Sequence, residues 1–216
     1  DTIKVKESML PSYIILLSDG RPTYGITDSR EIINKIGRVN KGERPVFAFS
    51  GGSRVNRYLL DFIAYKNRGW AEYASAEYTI PRQMASMYDK IRNPLFLNLR
   101  YRVSGLEYDE IFPKVLPDFY QNAEFNLYGR YNDEEEFSFQ MLGDVNGQTN
   151  DFLIIGSFKD ARKGSEDIAR EWAFNKIYHL IGMLEYNKDN SQILSQIDYL
   201  SERFDIITPY SKDIRE

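Results

Sequence analysis

The chain has 216 residues, of which 42% are hydrophobic and 28% charged, enough apolar material to bury a core and to exclude global disorder. A formal net charge of -4 gives no electrostatic footing for nucleic acid, and no run of about 18 apolar residues is present to span a membrane. With no cysteine and a single histidine, disulfide scaffolds and thiolate metal sites are excluded.

The first ninety or so residues alternate strand and helix signals. Tyr13 to Leu17 is a continuous apolar run, the mark of a strand covered on both faces. Asp28, followed three residues later by Glu31, makes a capping box, after which Ile32, Ile33, Ile36 and Val39 fall on one helical face. Pro45 to Phe49 is the next short strand, closed by Ser50-Gly51-Gly52. Leu59, Leu60, Phe62 and Ile63 then stripe a second helix that stops near Gly69. Trp70 to Tyr73 reads as a third strand. Thr79 and Pro81 open a third helix carrying Met84, Met87, Tyr88 and Ile91, and Asn93-Pro94 ends it. This order is the grammar of a parallel, doubly wound sheet.

At Leu95 the grammar changes. Leu97, Leu99, Tyr101 and Val103 alternate with Asn98, Arg100 and Arg102, a strand with one wet face. Ala123 to Tyr131, Glu136 to Leu142 and Phe152 to Phe158 alternate likewise, and Asn146-Gly147 is a hairpin signal between the last two. An antiparallel β unit is expected, as part of a sandwich. From Ser165 the pattern is helical: Ala169, Trp172, Ala173, Ile177, Leu180, Ile181 and Leu184 form one stripe, and Leu194, Ile197 and Leu200 a second. Asp205 to Tyr210 reads as a terminal strand confined to an edge by Pro209. The fold class is therefore α/β plus α+β, divided as residues 1–93, 94–160 and 161–216.

One feature in the first segment carries chemistry. In an open parallel sheet, ligands gather beyond the carboxyl ends of the strands. Asp19 stands at such an end between Ser18 and Gly20, and Gly20 lets the backbone turn sharply after it. A hard cation such as Mg²⁺ takes oxygen ligands, usually one or two carboxylates plus water. The competing reading is a turn residue that caps its own loop, which Asp and Gly do routinely.

The stretch "YIILLSDGRPTYGITDSREIINKI", followed by "VFAFSGGSRVNRYLLDFIAYKNRGWAEY", resembles the second half of a von Willebrand factor type A domain. In that family a strand ending in Thr/Ser-Asp-Gly supplies the third loop of a metal-ion-dependent adhesion site. "YDKIRNPLFLNLRYRV", then "NLYGRY", a Trp-bearing helix and "RFDIITPYS" resemble the C-terminal part of inter-alpha-trypsin inhibitor heavy chains and related bacterial proteins. The resemblance implies that Asp19 is the third-loop acidic ligand, with Ser18 and Gly20 flanking it. The Asp-x-Ser-x-Ser run and the Thr that would complete the site are absent, so the chain is expected to be the back half of such a domain plus its extension. Asp19 alone is then expected to hold no Mg²⁺ tightly. By the same resemblance, the parent protein would be secreted or part of a cell envelope. It would use Mg²⁺ to capture a protein partner presenting a carboxylate, without enzymatic activity. An apolar edge at Tyr13 to Leu17 would need cover, from Asp1 to Ser12 or from a second copy.

The rival readings are a metal-dependent phosphatase or hydrolase centred on Asp19, and a structural scaffold of an envelope protein with no site at all. Haloacid-dehalogenase-like phosphatases want a second Asp where Arg21 stands. "FSGGSR" lacks the Lys-Ser/Thr of a phosphate-binding loop. Asp144 to Asp151 has the flavour of a calcium loop but lacks its Gly and Glu positions, and reads as a polar hairpin. Glu134-Glu135-Glu136 reads as a solvated turn leading into a strand. His179 lies within a helix with no assignable nucleophile, and Trp172 is an inner-face anchor.

Overall fold

The structure is a computed structural model describing residues 12–121, 124–131, 136–145, 148–185, 188–208 and 210. Strands β1 (Ile14–Leu17), β2 (Val46–Gly51) and β3 (Ala71–Ala74) form a parallel sheet in that order. Helices α1 (Ser29–Asn40), α2 (Arg57–Lys66) and α3 (Ile80–Ile91) alternate with the strands. The caps read from the sequence are in place. Asp28 accepts the Glu31 amide at 3.0 Å to start α1, and Pro81 sits in the first turn of α3.

β2 is covered on both faces, as a central parallel strand must be. Phe47 and Phe49 point to one side, where Met87 and Ile91 of α3 cover them, and Ala48 meets Leu60 and Ala64 of α2 on the other. Phe47 is fully buried and makes edge-on contacts with Trp70, Tyr120 and Tyr13. β1 departs from expectation. It is the edge of the sheet among the described residues, and Ile14, Ile15 and Leu17 are 42%, 42% and 57% exposed. Only Leu16 joins the apolar contacts on the α2 side. The reason is positional: among the described residues β1 pairs with β2 alone, whereas β2 has strands on both sides and helices on both faces. The cover expected from Asp1 to Ser12 lies, apart from Ser12, outside the described residues. In α1, Ile33 is buried, but Val39 faces solvent at the end of its stripe.

The antiparallel strands are β4 (Pro94–Ser104), β5 (Phe119–Tyr120), β6 (Glu136–Val145) and β7 (Gln148–Ser157), in the order β5-β4-β6-β7. β4 keeps the alternation read from its sequence, with Leu99 and Tyr101 buried and Asn98, Arg100 and Arg102 exposed. Among the described residues these strands form one sheet rather than two. The Asn146-Gly147 hairpin lies outside the described residues. Two expected strands, Ala123 to Tyr131 and Asp205 to Tyr210, are not formed among the described residues. Within Phe125–Tyr131 the only ladder contact is at Tyr128, whose amide and carbonyl exchange hydrogen bonds with Phe112 at 2.8 Å each. Residues 205–208 alternate in exposure, Ile206 and Thr208 buried and Ile207 80% exposed, but form no strand among the described residues. Alternation follows from one-sided burial, and it makes a strand only when a partner backbone supplies the ladder. Pro209 and Glu134-Glu135 lie outside the described residues, and Glu136 opens β6.

Helices α4 (Asp167–Met183) and α5 (Ser191–Phe204) pack on each other through the stripes read from the sequence. Trp172, Ala173, Ile177, Leu180 and Ile181 are buried on α4, and Ile197 and Leu200 on α5. The chain divides into two compact units. The first comprises Asp1–Tyr101, Leu116–Glu124 and Met141–Phe152. The second comprises Arg102–Val115, Phe125–Gln140 and Leu153–Glu216.

Candidate functional site

β1 delivers Asp19 to the carboxyl end of the parallel sheet. The Ser18 amide makes a last rung to the Phe49 carbonyl at 3.4 Å, and there the strand stops. Ser18 Oγ accepts the Gly20 amide at 3.0 Å, and Asp19 Oδ1 accepts the Arg21 amide at 3.0 Å. Both side chains therefore cap their own loop, as the plainer reading of the motif foresaw. Asp19 stays exposed, and its backbone carbonyl accepts the Asn56 amide at 2.9 Å.

Gly20 explains why the turn must be glycine. It is buried with φ +70°, and a Cβ there would lie 2.8 Å from the Asn56 carbonyl and 3.1 Å from Leu60 Cγ. Asn56 in turn caps α2 by accepting the Leu59 amide at 3.2 Å and donates to Ser29 Oγ, at the start of α1, at 3.1 Å. The loop after β1 is thus braced against the beginnings of two helices. Within Ser18–Gly20, the side chains it presents to solvent are one carboxylate and one hydroxyl. Among the described residues no group of three or more His, Cys, Asp or Glu side chains is gathered that could hold a metal ion. Ser18 and Asp19 by themselves do not fit a Mg²⁺ centre, which needs more oxygen ligands than they supply.

The other residues considered in the sequence have structural surroundings. His179 is half-buried against the Phe112 ring at 5.6 Å, and burial with help from Lys114 lowers its pKa, favouring the neutral imidazole. Trp172 donates its indole N–H to the Glu110 carbonyl at 2.8 Å. Asp144 accepts from Asn98 Nδ2 at 2.8 Å and Thr149 Oγ1 at 2.7 Å, which hold its carboxyl below the usual range. Gly52 (φ +104°) turns the chain between β2 and α2 with open space around it, a helix-entry loop rather than a phosphate cradle.

One constellation in the first unit was not legible beforehand. The Asp118 side chain has no solvent exposure and pairs with Arg68 at 2.8 Å. The same Arg68 Nη1 reaches Asn98 Oδ1 at 2.6 Å, and the Asn98 amide returns to Asp118 Oδ1 at 2.8 Å. Arg68 and Asn98 both adopt positive φ, 58° and 52°, to make these contacts. Burial raises the Asp118 pKa, against Arg68 and the amides of Asn98 and Leu99, which favour the charged form. Fifty positions separate Arg68 from Asp118, and no local pattern signals such a pair.

No protein-family model matches the chain. It is 22% identical over 215 residues to inter-alpha-trypsin inhibitor heavy chain H1 of Homo sapiens, covering 92% of this chain and 23% of that protein. Heavy chain H3 of Homo sapiens is 22% identical over 210 residues, covering 92% of this chain and 24% of that protein. The chain thus spans about a quarter of the length of the curated relatives it matches. A solved von Willebrand factor type A protein from Catenulispora acidiphila superposes with TM-score 0.48 at 13% identity, covering 89% of this chain and 55% of that one. The match in sequence, over 92% of the chain, agrees with the resemblance that the motifs carry: the chain is similar to the inter-alpha-trypsin inhibitor heavy chains.

Proposed function

We propose that the chain is a non-enzymatic protein-interaction module that presents the Ser18–Gly20 loop at the carboxyl edge of its parallel sheet. The observation that carries this is the similarity to inter-alpha-trypsin inhibitor heavy chains over 92% of the chain. The geometry supports it. Asp19 is exposed at a strand end on a loop held by Gly20 and Asn56, and rigidly braced loops are where folds of this kind carry recognition. An enzyme centred on Asp19 would want further acid–base or metal-binding carboxylates beside it, and no such cluster occurs among the described residues.

By resemblance, the whole protein is secreted or sits in a cell envelope and recognises a partner that presents a carboxylate. Asp19 would contribute one oxygen to a Mg²⁺ whose other ligands Ser18 and Asp19 do not supply. In the full protein, Asp19→Ala is expected to weaken capture of an immobilised Glu-containing peptide at least tenfold, and EDTA is expected to mimic the substitution. Surface plasmon resonance reads both effects, and binding indifferent to both would overturn the reading. A companion assay with p-nitrophenyl phosphate in the presence of Mg²⁺ is expected to give the same background turnover for the native chain and Asp19→Ala. Turnover that depends on Asp19 would place the protein among enzymes instead.

A further inference from the structure

β7 is the outer strand of its sheet among the described residues, and residues 153–157 of it lie in the second unit. There Leu153, Ile154 and Ile155 are 61%, 58% and 70% exposed. Successive residues of a strand point to opposite faces, so apolar surface is open on both sides of the strand at once. A layer packed on one face would cover Ile154, or Leu153 and Ile155, but not all three. A strand added along the edge meets both sets of side chains and takes up the N–H and C=O groups that the edge leaves open. Solitary edges are commonly guarded by a charge or a proline, and residues 152–157 contain neither.

The flanks of the run say which strand fits. Asp151 stands before it and Lys159 after it, both exposed. When two identical strands run antiparallel about Ile155, Ile155 faces its own counterpart, Leu153 faces Ser157 and Ile154 faces Gly156. Asp151 of each copy then comes level with Lys159 of the other, once on each side of the two-fold axis. A foreign strand has no such reason to match both ends. Gly156 does not leave a hole in this ladder. A Cβ there would lie 2.7 Å from Phe137 Cζ, so the Phe137 ring fills the space, and the Phe158 ring stacks on it at 4.8 Å. That ring offers Ile154 of the second copy an apolar surface to pack on. We propose that residues 153–157 of β7 pair antiparallel with the same residues of a second copy of the chain, joining two sheets across a two-fold axis.

Sedimentation velocity on the full chain reads the association. A concentration-dependent doubling of mass, half complete below about 100 µM, is the expected result. Ile155→Lys sets two ammonium groups against each other at the axis and is expected to weaken the dimer at least tenfold, with the circular dichroism of the single chain unchanged because the side chain is exposed. Lys159→Asp brings acids level on both sides and is expected to weaken it at least threefold at low salt. Ile15→Lys and Asp19→Ala are expected to leave the dimer intact, which separates it from cover of β1 and from the Ser18–Gly20 loop. The chain has no cysteine, so a single introduced thiol reports the register. Facing residues of an antiparallel pair have Cα atoms about 4.5–5.5 Å apart, within disulfide reach. Ile155→Cys is expected to form a disulfide-linked dimer in oxidised glutathione at least tenfold faster than Tyr24→Cys, a position that is also exposed but lies outside the strand. A chain monomeric up to about 300 µM would overturn the proposal and leave the edge to a strand of another polypeptide. A dimer untouched by Ile155→Lys, or Ile155→Cys coupling no faster than Tyr24→Cys, would overturn it as well.

Discussion

Val46-Phe47-Ala48-Phe49 and Ile14-Ile15-Leu16-Leu17 are two apolar runs of the same length, paired side by side in one parallel sheet, and they meet opposite fates. Every residue of the first is buried, while three of the second are more than 40% exposed. The residues of both can form strand, and hydrophobicity alone does not tell them apart. The difference comes from neighbours: β2 has a strand on each side and helices on each face, and β1 is an edge among the described residues. An apolar run therefore specifies a strand, and the sheet order decides whether that strand is core or surface.

The comparison can be broken most directly by truncation. Phe47→Ala is expected to cost about 4 kcal/mol, because it removes a fully buried ring with three aromatic neighbours. Leu17→Ala is expected to cost less than about 1 kcal/mol, since the side chain is already mostly in water. Urea midpoints of the two variants check this, and equal costs would mean that β1 is buried in solution.

A smaller effect tests the helix layer that covers β2. Burial pushes the Tyr65 hydroxyl on α2 up to about 12. An acid whose folded pKa lies above its unfolded value keeps its proton longer in the native state. Stability is therefore lost as pH rises from about 10 to about 12, and the loss attributable to this group is up to about 2 kcal/mol. Tyr65→Phe is expected to flatten that part of the stability-against-pH curve and to leave the curve at pH 7 nearly unchanged. Denaturation followed by circular dichroism at a series of alkaline pH values reads it.

The smallest expected effect on stability carries the most information about β1. Ile15→Lys is expected to change stability by less than about 0.5 kcal/mol, because the side chain is exposed and the edge strand tolerates charge. If a second copy covers the apolar edge, the same substitution dissociates it, and sedimentation velocity would show the change in mass. A protein that is monomeric before and after the substitution would remove the second copy from consideration.

Much of the molecule was legible because its signals are local. The Asp28 cap, the stripe Leu59-Leu60-Phe62-Ile63 and the stop at Asn93-Pro94 each act within a turn or two of chain, and each element formed where those residues stand. The position of Asp19 at a strand end was likewise readable, since it needs only an apolar run followed by Ser18-Asp19-Gly20. What could not be read is where Gly20 touches. Its need for glycine comes from Asn56, 36 positions later in the chain.

Phe125 to Tyr131 and Asp205 to Ile207 show the opposite failure. Their alternation reflects burial on one side, yet a strand also needs a neighbouring backbone with free N–H and C=O groups in register. Tyr128 meets one such partner, in Phe112, and residues 205–208 form no strand among the described residues.

By itself, then, the sequence determined the local elements and the strand-end loop, because hydrogen bonds within a turn and side-chain periodicity act over a few residues. Only the tertiary structure decided that β1 would be an edge among the described residues and that Arg68 would meet a buried Asp118 across 50 positions. Those outcomes depend on which distant segments become neighbours, and no residue carries that information in its own vicinity.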